Sequence, residues 1–172
     1  MKTSKRFNNA MTALINAFFN DTLAKDTCTA CAVGNIVAYA NGGKVEKTSN
    51  GIFMCDIDNT DWRALFLTCE GVQEDRRKYN TKTEIALGLR IIKKTGYSEN
   101  ELKRVEFAFE SNTSITWQNY GYETKDAVMQ DQYKGLCAIV DVLCDIEGLN
   151  ANEYKQAFKY TNEFKPECEF VL

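Results

Sequence analysis

Two sets of residues in this 172-residue chain have the types and spacing to do chemistry. The first is Asp56-Ile57-Asp58-Asn59-Thr60, within "GIFMCDIDNTDWRALF" at 51–66. An apolar run there delivers two carboxylates and a hydroxyl. Carboxylate oxygens are hard donors that suit magnesium, and an aspartate can act as a nucleophile. The second set is cysteine. Cys28 and Cys31 stand in "CTACAVGN", and Cys137 and Cys144 in "GLCAIVDVLC". On helices, i,i+3 and i,i+7 spacings put each pair on one face. Four thiolates from two facing helices could hold zinc. A Cys-x-x-Cys at a helix N-terminus could instead be redox-active, because the helix dipole lowers thiol pKa.

The acidic string resembles the first motif of haloacid-dehalogenase-type phosphatases. The resemblance implies that Asp56 attacks phosphorus, Asp58 protonates the leaving group, and both hold magnesium at the tip of a parallel strand. That chemistry also requires strand–helix alternation, a later Ser or Thr, a lysine and a further acidic pair at strand ends. Downstream of residue 80 the sequence reads as helix after helix. The reading adopted is an acidic turn, Asp58 to Asp61, capping a short helix at Trp62. A magnesium-dependent phosphatase-like hydrolase using Asp56, Asp58 and Thr60 is the alternative. A calcium loop is excluded by Asp61 where glycine belongs and Leu67 where glutamate belongs.

Cysteine is also a small hydrophobe, and all four residues alternate with Ala, Val, Leu and Ile. Buried structural thiols are the reading adopted. A metal site of Cys28, Cys31, Cys137 and Cys144 is the alternative, and redox work by Cys28 and Cys31 a third reading. No cofactor is expected. Asn35, one turn past Cys31, needs amide partners if its face is buried.

The chain has no histidine, which removes Ser-His and Cys-His nucleophile pairs, His-ligated zinc and imidazole proton transfer. Apolar residues make up 44% and charged residues 26%, a globular composition. The net charge of −3 does not match a nucleic-acid backbone, so no nucleic-acid partner is expected. No apolar run is long enough to span a membrane, and Asn8, Asn9, Thr12 and Asn16 interrupt any signal-like stretch. The chain is expected to be cytoplasmic, with its seven cysteines as thiols.

The elements that must position these residues are helical. Phe7, Met11, Leu14, Ile15, Phe18 and Phe19 line one face of a first helix. A second helix is expected from about Cys28 to Ala40, capped by Asp26 or Thr27 and ended by "NGGKVEKTSNG". "GIFMC" reads as a short strand, "TDWRALFLT" as a helical turn or two, and "VQEDRRKYNTK" as a polar connector. "KTEIALGLRIIKKTG" is a helix stopped at Gly96. Ser98 and Glu101 form a capping box for the next, whose buried stripe is Leu102, Val105, Ala108 and Phe109. Val128, Leu136, Ile139, Val140, Leu143 and Ile146 line the longest helix, about 125–147, ended by Gly148. Asn150 or Asn152 caps a last helix, "EYKQAFKYTNEF", followed by an extended "ECEFVL". "NTSITWQNYGYET" (112–124) is a polar-aromatic loop.

"CTACAVGNIVAYA", "TGYSENELKRVEFAFE" and "KGLCAIVDVLCDIEGL", in that order, resemble a loose family of small helical proteins of Bacteroidetes-type bacteria and their phages. The resemblance implies a helical fold and a microbial or phage setting, and carries no site residues. Asp56 to Thr60 lies outside it. Such proteins sometimes bear the label of a sodium-translocating NADH-quinone reductase subunit. The chain lacks both the C-x4-C-x2-C run of a plant-type iron-sulfur centre and a glycine-rich dinucleotide loop, so that label is not transferred.

The sequence thus predicts a mainly α, single domain over 1–172, of about six helices with a small two-stranded accessory near 51–56. Its expected role is a small accessory or protein-binding protein of phage or mobile-element type, with a host or self protein as partner and no membrane association. Trp117, Tyr120 and Tyr122 are the candidate binding residues, since aromatics are enriched where surfaces bind. The alternative for that loop is that its aromatics fold back on the core.

Overall fold

The computed structural model describes residues 3–63 and 82–156. The expected connector 72–82 lies almost wholly outside these residues. So do the end of the "TDWRALFLT" turn, the last helix beyond residue 156 and the tail.

Helix α1 (Lys5–Phe19) starts where Ser4 Oγ accepts the Phe7 N–H at 3.1 Å. Its buried face carries Phe7, Met11, Leu14, Ile15 and Phe18, with Ala10, Ala13 and Ala17 between them. Phe19 is only half-buried. Helix α2 (Ala32–Ala40) begins four residues later than expected. Cys31 caps it, not Asp26 or Thr27. The Asp26 backbone is left-handed (φ 65°), a conformation that an extended cap cannot share.

The segment read as a breaker contains a strand. β1 (Val45–Lys47) pairs antiparallel with β2 (Phe53–Cys55), Val45 opposite Cys55 and Lys47 opposite Phe53. A 3-10 helix, Thr60–Arg63, follows. Then come α3 (Lys82–Thr95), α4 (Glu99–Asn112), a 3-10 turn (Trp117–Tyr122), α5 (Lys125–Glu147) and α6 (Ala151–Gln156). The described residues therefore form a mainly α fold with one small accessory sheet. No helix among them is long and apolar enough to cross a membrane.

The helix ends follow the local chemistry. The Ser98–Glu101 capping box forms in full, and Gly148 closes α5 in the left-handed conformation. The core lies where α1, α2, α4 and α5 meet, around Phe7, Met11, Phe18, Leu102, Phe109, Leu136 and Ile139. Each such side chain contributes about 1.5–3 kcal/mol by leaving water. Helices α4 and α5 approach closely at Gly135, where an added Cβ would lie 2.6 Å from Phe109 and Thr113 side-chain carbons. Ala108 and Ile146 are half-buried rather than core. Arg6 fastens one end of the assembly. Its Nε donates to Glu147 at 2.6 Å, its Nη1 donates to the Gly96 carbonyl at 2.9 Å, and its guanidinium lies 4.8 Å from the Tyr97 ring centre. A second small cluster, Ala24, Ala30, Ala38, Val45 and Phe53, joins the hairpin to the helices.

Candidate functional site

The polar-aromatic loop is held in place from several elements. Asp131, buried in α5, accepts the Ser114 N–H on both oxygens (3.0 and 2.8 Å) and the Ile115 N–H at 2.8 Å. The Trp117 N–H donates to the Lys25 carbonyl at 3.2 Å. Lys25 Nζ in turn donates to the Thr113 carbonyl at 2.8 Å and to the Glu110 carbonyl. These bonds anchor the start of the loop, where the 3-10 turn begins.

Those rings meet the hairpin. Trp117 and Tyr120 stand edge-on to Phe53, with centroids 6.4 and 6.5 Å away. Edge-to-face pairs of this kind add about 0.5–1.5 kcal/mol beyond burial. Gln132 Nε2 donates to the Tyr120 hydroxyl at 3.2 Å, and burial pushes that hydroxyl up to about 12. Lys47 Nζ lies 5.3 Å from the Tyr120 ring centre and 2.6 Å from Asp21 Oδ2. Two of the three predicted aromatics therefore fold back partway onto the accessory core. Tyr122 does not: it is 88% exposed. Between hairpin and turn lies an open groove of about 580 Å³, lined by Lys47, Asn50, Trp117, Gln118, Tyr120 and Tyr122. Its volume is in the range of ligand-sized clefts. A smaller cleft of about 330 Å³, between α1, α2 and β1, is walled by Asn16, Asn20, Asn35 and Tyr39. The Asn35 amide there is committed to the carbonyls of Thr22, Ala30 and Cys31 at 2.9–3.0 Å, locking α2 to the preceding loop.

The acidic string builds a turn. Asp56 Oδ1 accepts the Lys44 N–H at 2.8 Å. Asp58 Oδ1 accepts the Thr60 N–H and hydroxyl at 3.0 and 2.8 Å, opening the 3-10 helix that contains Trp62. Asn59 is the buried member, donating to the carbonyls of Thr29 and Gly34. The strand before Asp56 belongs to a two-stranded antiparallel sheet, not to the parallel sheet that the phosphatase motif requires.

The cysteines are dispersed. Cys31 and Cys144 are buried, and Cys28 and Cys137 half-buried. Cys137 therefore is not a full core position. Among the described residues no three His, Cys, Asp or Glu side chains gather as a metal would require, so the two cysteine pairs do not form one four-thiol cluster. Cys31 instead receives the Gly34 N–H on its sulfur at 3.3 Å. Close by, Glu106 of α4 accepts the Val33 N–H at 3.1 Å while 7% exposed.

Glu106, Asp131 and Gln132 were not singled out by sequence. The signal was present, because each lies on the buried stripe of its helix, Glu106 beside Leu102, Val105 and Phe109. Apolar bias in reading such stripes hid them. Comparison with family models, with curated proteins and with solved structures finds no match to the chain.

Proposed function

We propose that this chain is a small accessory protein that binds a protein partner through the groove between the β1–β2 hairpin and the Trp117–Tyr122 turn. The observation that carries this reading is Tyr122, an aromatic side chain left almost wholly in water on a turn whose start is anchored by Asp131 and Lys25. An exposed aromatic side chain has much apolar surface to bury on binding. Asn50 and Gln118 beside it can pair with the amides of a peptide backbone. Among the described residues the groove is lined by one lysine, Lys47, which is already engaged by Asp21. A phage or mobile-element setting, with a host protein as partner, follows from the resemblance noted above and stands as part of the same proposal.

The test is affinity capture from the native host by the intact chain and by Tyr122→Ser and Gln118→Ala variants. One partner held by the wild type and weakened about tenfold or more by Tyr122→Ser, at unchanged melting temperature, is the expected result. Equal capture by the variants would place the interface elsewhere. Magnesium-dependent hydrolysis of a phosphate ester, lost in Asp56→Asn, would overturn the reading in favour of an enzyme.

A further inference from the structure

The cleft of about 330 Å³ between α1, α2 and β1 shares no lining residue with the groove beside Tyr122. Its walls follow from helical spacing. Ala13, Asn16 and Ala17 lie at i, i+3 and i+4 on α1, with Asn20 at the C-cap. Asn35, Ala38 and Tyr39 repeat that spacing on α2. Each wall therefore sets amides beside alanine methyl groups, and Val45 of β1 adds a third apolar side.

Asn35 is the group that points to a ligand. It is only 6% exposed, yet it lines the cleft. Its Nδ2 is spent on the carbonyls of Thr22, Ala30 and Cys31. Its Oδ1 accepts no hydrogen bond among the described residues and is not sealed from solvent. A nearly buried acceptor is thus left for a donor that enters the cleft. Thr22, buried behind it, donates its hydroxyl to the Ala17 carbonyl at 3.3 Å and keeps lone pairs for a further donor. Asn16 and Asn20 are exposed, and their side chains hold no hydrogen bond among the described residues. Of the lining residues only Lys44 is charged, and it pairs with Glu46.

We propose that this cleft binds a neutral monosaccharide. A sugar ring carries hydroxyls round its edge, each both donor and acceptor, and apolar C–H groups on its faces. One hydroxyl donates to Asn35 Oδ1. The Asn16 and Asn20 amides, which also both donate and accept, meet neighbouring hydroxyls. Ala13, Ala17, Ala38 and Val45 offer methyl groups to the ring face, and the Tyr39 ring adds apolar surface. The volume lies at the small end of ligand clefts, which suits a single ring. Among the described residues no unpaired cation lines the cleft, so a sugar phosphate or a nucleotide finds no counter-charge. A nucleobase needs an aromatic partner on its face, and the one aromatic lining residue, Tyr39, stands among alanines.

The test follows the side-chain amide NMR signals of the intact chain during titration with glucose, galactose, mannose and N-acetylglucosamine, each alone. Glucose 6-phosphate and adenosine are titrated in parallel. The expected result is a saturable shift of the Asn16, Asn20 and Asn35 signals with at least one neutral sugar, while Asn50 and Gln118 of the groove stay in place. The double variant Asn16→Ala, Asn20→Ala changes only exposed side chains without hydrogen bonds, and its melting temperature should hold. It should bind that sugar about tenfold or more weakly. Tyr122→Ser should bind it as the wild type does, which separates this site from the protein-binding groove. No saturable shift with any of the four sugars, or equal binding by the double variant, would overturn the proposal. Tighter binding of adenosine or of glucose 6-phosphate would overturn it in favour of a nucleobase or an anion site.

Discussion

Glu106 Oε2 accepts the Val33 N–H at 3.1 Å across 73 positions of sequence, so a side chain of α4 completes the first turn of α2. Its carboxyl is pushed up from about 4.5 to about 7, chiefly by burial. The groups facing it are Cys31 and the Val33 N–H from α2 and Glu110 from its own helix. Between those pH values the folded chain holds a proton that the unfolded chain has released. Stability from this group is therefore complete below about 4.5 and is lost as pH rises through about 7. The full window corresponds to about 3 kcal/mol at most. Urea midpoints of wild type and Glu106→Gln under reducing conditions should show the wild type losing stability relative to the variant from pH 5 to pH 8. Parallel profiles would contradict the raised value.

Gly34 lies directly beneath the Cys28–Thr29 backbone. A Cβ there would fall 2.3 Å from the Cys28 oxygen and 2.6 Å from the Thr29 oxygen. Backbone atoms pinned by Trp62 and Asn59 cannot move aside cheaply. Gly34→Ala should destabilise by about 2 kcal/mol or more, although alanine favours helix by about 1 kcal/mol. Chemical denaturation measures the difference, and a neutral or stabilising result would mean that the turn can shift.

Asp131 supplies both acceptors for the start of the aromatic loop. Asp131→Ala leaves the Ser114 and Ile115 amides unpaired and should cost about 1–3 kcal/mol. Partner binding should weaken with it, as the turn carrying Tyr122 loses its anchor. Denaturation combined with the capture assay separates the two effects. Stability lost with binding intact would show that the turn holds its shape through Lys25 and Phe53 alone.

Tyr97 is wholly buried between Arg6 and the core, and its hydroxyl meets no hydrogen-bond partner among the described residues. Burial holds its pKa far above the usual range. Tyr97→Phe removes an unsatisfied polar atom while keeping the ring. The variant should be as stable as the wild type or more stable by about 1 kcal/mol. A loss larger than that, by calorimetry, would reveal a partner for the hydroxyl.

What the sequence determined by itself was everything set by local spacing. Period-3.6 apolar stripes placed α1, α4 and α5. The Ser98–Glu101 box and Gly148 marked their ends, because capping needs only residues within one turn of each other. The acidic turn at Asp58 was legible for the same reason: its partner, Thr60, is two residues away. Tertiary structure alone decided the rest. β1 became visible only through its pairing with Phe53–Cys55, since three residues carry too little alternation to register. The α2 boundary moved to Ala32 because its caps are Cys31 and the distant Glu106, neither a usual N-cap choice. The groove, likewise, exists only where Lys47 and Asn50 of one segment meet Trp117 and Tyr122 of another. A single chain records which side chains can share a face, but the faces that meet are chosen by packing over long sequence separations.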